Sequence, residues 1–138
     1  MGERSAWDVA RSRVLMGEKS EVTRVEFEML NRMALGLVAE MVGDFGEALF
    51  SYLAAVALSV TASQMGVDTS AVGSPEQLAV MEVYLVDRCQ QLRLLLDEYP
   101  EQLAAFECRI EAVPDMLEVY SVAMTYPAAQ EIASLRVA

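Results

Sequence analysis

The sequence predicts an all-α protein: a single-domain helical bundle of about five to seven helices around one very hydrophobic central helix. Helix-starting and helix-ending residues recur along the whole chain, whereas sustained period-two alternation and Asn-Gly or Asp-Gly turns do not occur. Apolar residues make up 54% of the 138 and recur at helical spacing. Residues 48–67 carry no formal charge, so this segment has to be buried against its neighbours.

Residues 1–20 are predicted to form a short N-terminal helix and a linker. Trp7, Ala10 and Val14 lie at helical spacing and predict a helix over residues 5–16, which Gly17 ends. Because no apolar signal-peptide segment precedes Cys89 and Cys108, we expect a cytoplasmic protein in which both thiols are free and buried.

Residues 21–65 are predicted to form a long helical hairpin or one bent helix. Thr23 and Glu26 can make a capping box at its start. Two adjacent apolar stripes follow, one through Val25, Met29, Met33, Leu37 and Met41, the other through Leu30, Ala34, Val38 and Val42. A face this wide predicts a helix with partners on two sides.

A break is predicted at Gly43-Asp44-Phe45-Gly46, where Asp44 can cap a new helix and Glu47 stands three residues later. A continuous helix through Gly43 is the alternative. The following segment, residues 45–64, is apolar nearly all round and is predicted to be the central helix. Its bulky residues are Leu49, Leu53, Val56 and Val60, and a ridge of small residues runs through Ser51, Ala55, Ser59 and Ser63.

Residues 66–74 are predicted as a loop and residues 75–138 as C-terminal helices. Ser74 stands at a cap position, Pro75 at the first helical position and Gln77 three residues after the cap. The helix should run to about Glu98. Its predicted inward residues are Leu78, Met81, Leu85, Cys89, Leu92 and Leu96. Pro100, Pro114 and Pro127 predict further helix starts.

The net charge of −11 comes entirely from residues 33–138, which hold four basic and fifteen acidic side chains. Residues 1–32 are neutral, with six of each. Direct nucleic-acid binding is not expected, because phosphate contacts need clustered Lys and Arg. The expected partner is a protein or nucleoprotein complex with a basic or apolar surface.

The absence of histidine excludes Ser-His-Asp and Cys-His catalysis and His-ligated metal sites. Carboxylates remain as ligands for Mg²⁺: Glu40, Asp44 and Glu47 on one side, Glu82 and Asp87 on the other. A Mg²⁺-dependent all-α nucleotide hydrolase is therefore one alternative. Paired acidic motifs and nearby Lys or Arg for substrate phosphates are missing, so we expect no metal, no cofactor and no enzyme activity.

A small integral membrane protein is a second alternative, because twenty uncharged residues can cross a bilayer. The hydroxyl side chains of this segment and the lack of positive flanking residues favour a core helix, so no membrane is expected.

The leading hypothesis is a non-catalytic interaction protein of the inhibitor, chaperone or assembly-factor type, able to form a homo-oligomer. Its candidate partner-binding residues are acidic and aromatic and lie in the C-terminal third: Glu98, Tyr99, Glu101, Glu107, Glu111, Asp115, Glu118 and Tyr120.

Overall fold

The computed structural model of the chain describes residues 24–66 and 73–127, and these form five α-helices and no strand. The helices are α1 (Arg24–Met41), α2 (Phe45–Met65), α3 (Pro75–Leu96), α4 (Pro100–Glu111) and α5 (Pro114–Thr125). The predicted all-α bundle is confirmed. The helix predicted over residues 5–16, the cap at Thr23 and the helix predicted after Pro127 lie outside the described residues.

Helix α2, which is uncharged apart from Glu47 in its first turn, lies at the centre of the bundle, as predicted. Helices α1 and α3 pack along it, and α4 and α5 cover a further part of it. Leu49 and Leu53 are fully buried, and so are the small side chains of Ser51 and Ala55. Burying each of these leucines contributes roughly 1.5–3 kcal/mol, so α2 anchors the core.

A glycine allows α1 and α2 to approach closely. Gly36 of α1 lies against the buried ring of Tyr52, and a Cβ atom at position 36 would stand 2.6 Å from Cδ1 of that ring. No side chain fits between the two groups, so the spacing of these helices depends on Gly36.

The predicted break between α1 and α2 is confirmed, and the continuous helix is not formed. Gly43 has a φ of +80°, a backbone conformation that residues other than Gly rarely adopt. Its amide donates to the carbonyl of Glu40 (3.1 Å), and the amide of Asp44 donates to that of Ala39 (2.9 Å), which is a Schellman ending. The amide of Glu47 donates to Oδ1 of Asp44 (3.2 Å), the predicted cap of α2.

The start of α3 is the predicted capping box. The amide of Gln77 donates to Oγ of Ser74 (3.2 Å), and the amide of Ser74 donates to Oε1 of Gln77 (2.8 Å). The predicted inward residues from Met81 to Leu96 are buried, and Leu78 is half-buried. Helices α4 and α5 begin at Pro100 and Pro114, as predicted.

The burial of helix α1 differs from the sequence prediction. Met29 and Met33 are buried against α2, but Val38 (58% exposed), Met41 (85%) and Val42 (74%) are not. Among the described residues, α2 is the helix that packs along α1, so the prediction of partners on two sides is met on one side only. Helical periodicity identifies apolar faces, but it does not say whether the fold supplies a neighbour for each face.

The two cysteines also differ from prediction. Both are free, but Cys89 is buried in the core and Cys108 is exposed on α4. The expected burial of Cys108 is wrong because α4 turns Phe106 and Ile110 inward, and residue 108 falls on the opposite side of the helix. Burial, reinforced by the charge of Glu40, raises the pKa of the Cys89 thiol to about 12.

Candidate functional site

The outward faces of α4 and α5, with the turn before α4, form a surface whose charged side chains are mostly carboxylates, which we call the acidic surface. All six predicted acidic residues lie on it and are exposed: Glu98, Glu101, Glu107, Glu111, Asp115 and Glu118. Within the described part of the chain, none of the six makes an ion pair. Their charges therefore act on the surrounding solvent and on any molecule that approaches.

The position of these carboxylates follows from the amphipathic pattern of the two short helices. Phe106 and Ile110 hold the inner face of α4 against the core, and Ala123 does so for α5. Glu107 and Glu111 then lie one turn apart on the outside of α4. Like charges at this spacing repel by roughly 0.2–0.5 kcal/mol, so the arrangement costs some helix stability.

The basic side chain of α4 is directed away from the acidic surface. Arg109 pairs with Glu47 of α2, and its guanidinium carbon lies 3.8 Å from the centroid of the Phe50 ring. The cation is therefore used to attach α4 to α2 and does not neutralise the outward carboxylates.

A glutamine sets the position of α4 against the start of α2. Oε1 of Gln102 accepts hydrogen bonds from the amides of Phe45 (2.9 Å) and Gly46 (3.4 Å), and its Nε2 donates to the carbonyl of Gly43 (3.1 Å). One side chain thus satisfies amides that the first turn of α2 leaves without helical partners. Sequence reasoning missed this contact, because Gln102 is 57 residues from Phe45 and carries no local signal.

The two predicted tyrosines lie in different environments. The ring of Tyr99 stands 5.2 Å from that of Phe45 and is partly exposed beside Glu98. Tyr120 is half-buried: its ring meets Phe106 edge-on at 5.3 Å, and its hydroxyl accepts a hydrogen bond from Nε of Arg93 (3.0 Å). Tyr99 can contact a partner, whereas Tyr120 mainly joins α5 to α3 and α4.

Glu40, a candidate metal ligand, instead joins three helices. Nε of Arg88 on α3 donates to its Oε1 (2.7 Å), and the hydroxyl of Tyr52 on α2 donates to its Oε2. The hydrogen bond to Glu40 raises the pKa of Arg88. Burial, with this carboxylate beside it, raises the pKa of Tyr52. The sequence offers no signal for this cluster either.

The other candidate metal ligands are likewise engaged in separate places. Glu47 pairs with Arg109, Asp44 caps α2, Glu82 accepts from Ser59, and Asp87 accepts from Gln91 (2.8 Å). Within residues 24–66 and 73–127, no three Asp, Glu or Cys side chains come together to hold a metal ion.

A second surface has the opposite character and lies on the outward side of α1. We call it the apolar surface; it consists of Phe27, Asn31, Ala34, Leu35, Val38, Met41 and Val42, all exposed. None of the seven carries a charge. The charged residues Glu28 and Arg32 lie on the flank of the helix, where they are partly covered.

One helix among the described residues, α2, is long and apolar enough to cross a membrane by length and composition. Its apolar window, Phe45–Ala62, is mostly buried within the bundle.

Comparison of the chain with models of protein families, with curated proteins and with solved structures gives no match.

Proposed function

We propose that this protein acts without catalysis, by binding a basic surface of a partner protein through the acidic surface of α4 and α5. The observation that carries the proposal is that six exposed carboxylates lie there without ion pairs. Arg109, which could neutralise part of this charge, is held against α2.

The shape of the surface supports a partner that is itself folded. The two helices are anchored to the bundle by Gln102, Tyr99 and Tyr120, so the carboxylates are presented on a preformed scaffold. A rigid array of charges favours a partner with a matching array of Lys and Arg. Basic channels that bind nucleic acid have this character, and occupying one would make the protein an inhibitor.

The test is affinity capture from an extract of the native host, followed by binding measurements with the purified captured protein. A triple variant, Glu107→Gln with Glu111→Gln and Glu118→Gln, removes three charges from the acidic surface. A matched control, Glu28→Gln with Glu76→Gln and Asp87→Asn, removes three charges from α1 and α3. We expect the first variant to weaken binding at least tenfold and the control to change it less than about threefold.

Salt gives an independent readout of the same interaction. Raising the salt from about 0.1 M to about 1 M shortens the Debye length from about 10 Å to about 3 Å, so affinity for a basic partner should fall steeply. Binding that resists both salt and the triple substitution would rule out the acidic surface as the binding site.

A further inference from the structure

We propose that the apolar surface of α1 binds the same surface of a second copy of this chain, as an antiparallel helix pair. This interaction is separate from the acidic surface, and the partner it requires is the protein itself.

The first argument is the spacing of the residues. Phe27, Asn31, Ala34, Val38 and Met41 follow one another at intervals of four, three, four and three residues. This spacing matches the seam of a two-helix coiled coil, in which side chains pack into spaces between residues of the facing helix. Four of the five residues are apolar, and Asn31 is polar. The opposite side of α1 packs on α2. Helix α1 therefore has two apolar faces, and among the described residues α2 is the one helix that packs along it.

The second argument is the self-complementary order of the seam. In an antiparallel pair with its two-fold axis near Ala34, Phe27 of one copy lies level with Met41 of the other, and Asn31 lies within one residue of the level of Val38. The large residues therefore lie at the ends and the smallest lies at the axis, where the helices come closest. Every residue of the seam finds its counterpart on an identical surface.

The third argument is charge. Exposed Arg24 begins α1, and exposed Asp44, the cap of α2, lies three residues beyond Met41, the last residue of α1. An antiparallel arrangement brings these opposite charges towards each other at both ends and also opposes the two helix dipoles. A parallel pair would place Arg24 beside Arg24 and Asp44 beside Asp44, so we assign the antiparallel orientation.

The fourth argument is area. Phe27, Leu35, Val38, Met41 and Val42 are 42–85% exposed. At roughly 100 Å² of exposed surface each, they offer about 500 Å² per copy, so they can bury at most about 1,000 Å² in a symmetric pair, which is the minimum for a specific interface. An apolar patch of this size is towards the upper end of what a typical monomer exposes, and such patches are often functional.

The test is the molar mass of the full-length protein in solution between about 1 and about 100 µM, where mass action favours a dimer. We expect twice the 15.2 kDa of one chain, at about 0.1 M and at about 1 M salt alike, since apolar contacts are not screened. The double variant Val38→Glu with Met41→Glu should be a folded monomer by molar mass and circular dichroism. Val80→Glu is the matched control, because Val80 on α3 has the same 58% exposure as Val38; it should remain a dimer.

Cross-linking tests the orientation, with exposed Cys108 replaced by Ser. Phe27→Cys and Met41→Cys proteins, when mixed and mildly oxidised, should form a disulfide-linked dimer, whereas Phe27→Cys alone should not. A linked dimer from Phe27→Cys alone would show a parallel pair and contradict the assignment. A monomeric wild-type protein, or a dimer that survives the double glutamate substitution, would overturn the proposal; a monomer would mean that residues 1–23, a membrane or another protein covers this surface.

These results are distinguishable from those for the acidic surface. The glutamate variants of α1 should still bind the basic partner, and the glutamine variants of α4 and α5 should still dimerise.

Discussion

The carboxylate of Glu40, near the end of α1, is paired with the guanidinium of Arg88 in the middle of α3. The two residues are 48 positions apart in the chain. This ion pair joins the two helices that pack along α2, and the hydroxyl of Tyr52 on α2 also donates to the carboxylate. The polar contacts of Glu40 thus link all three long helices, α1, α2 and α3.

Glu40→Gln should lower the free energy of unfolding by about 1–2 kcal/mol, because it leaves the partly buried Arg88 without its charge partner. The effect is modest because a third of the Arg88 side chain reaches solvent, which screens the pair. Urea denaturation measures the change. Asp97→Asn is the control: this carboxylate is 60% exposed in its pair with Arg93, and its loss should cost less than about 0.5 kcal/mol. Equal effects would mean that burial does not strengthen the Glu40 pair.

Gly36→Ala should destabilise the protein although Ala is the better helix former. The added Cβ would overlap the ring of Tyr52, which is buried and held through its hydroxyl by Glu40. Overpacking of this kind costs about 1–3 kcal/mol, against a gain of about 1 kcal/mol in helix propensity. Ser121→Ala, on the exposed side of α5, gives a gain in propensity without a clash and should be neutral or slightly stabilising. A lower melting temperature for Gly36→Ala alone would support the close approach of α1 and α2.

Gln102→Ala should cost about 1–2 kcal/mol, because the amides of Phe45 and Gly46 lose the acceptor that caps α2. Gln102→Glu keeps an acceptor oxygen but cannot donate to the carbonyl of Gly43, so its loss should be smaller. Chemical denaturation of both variants tests this order. Gln91→Ala, at an exposed site on α3, should have a smaller effect than Gln102→Ala; an equal effect would argue against the cap.

Stability should fall as the pH rises from about 9 to about 12. In the unfolded chain the thiol of Cys89 ionises near its ordinary pKa of 9.0, whereas in the folded protein burial holds the proton until about pH 12. Below pH 9 the thiol is neutral in both states, so its burial contributes its full stabilisation to the folded protein. This stabilisation is lost as the pH rises from 9 to 12. Within that interval it can change the free energy of unfolding by up to about 1.4 kcal/mol per pH unit.

The variant Cys89→Ala isolates this effect. It should be less stable at neutral pH because it leaves a small cavity, yet its stability should decline less steeply above pH 9. Cys108→Ser removes an exposed thiol and should leave the steepness unchanged. Identical alkaline slopes for Cys89→Ala and the wild type would contradict the assigned shift.

Glu107→Gln should raise stability by roughly 0.2–0.5 kcal/mol at low salt, because it removes repulsion with Glu111 one turn away. The gain should disappear at high salt. Thermal unfolding at two salt concentrations measures it. A loss of stability instead would mean that the carboxylate has a structural partner, and it would weaken the proposal that the acidic surface is kept for binding.

Local signals in the sequence were sufficient for the helix boundaries. The Ser74 box with Pro75, Gly43 with its left-handed backbone, and Pro100 and Pro114 act within a few residues of themselves, so their effects can be read in order along the chain. The inward stripe of α3 and the central place of α2 were also predictable, because a long apolar helix with no charge beyond its first turn has to be surrounded.

The tertiary structure alone decided which faces found neighbours and which polar groups met. Glu40 and Arg88, Gln102 and Phe45, and Arg109 and Glu47 are separated by 48 to 62 residues, and their pairing depends on how the helices are arranged around α2. The same arrangement leaves Val38 and Met41 in solvent although their spacing matches that of the buried stripe. Periodicity is a property of one helix, whereas burial is a property of a helix and its neighbours, and this difference is why the apolar surface of α1 emerged only from the fold.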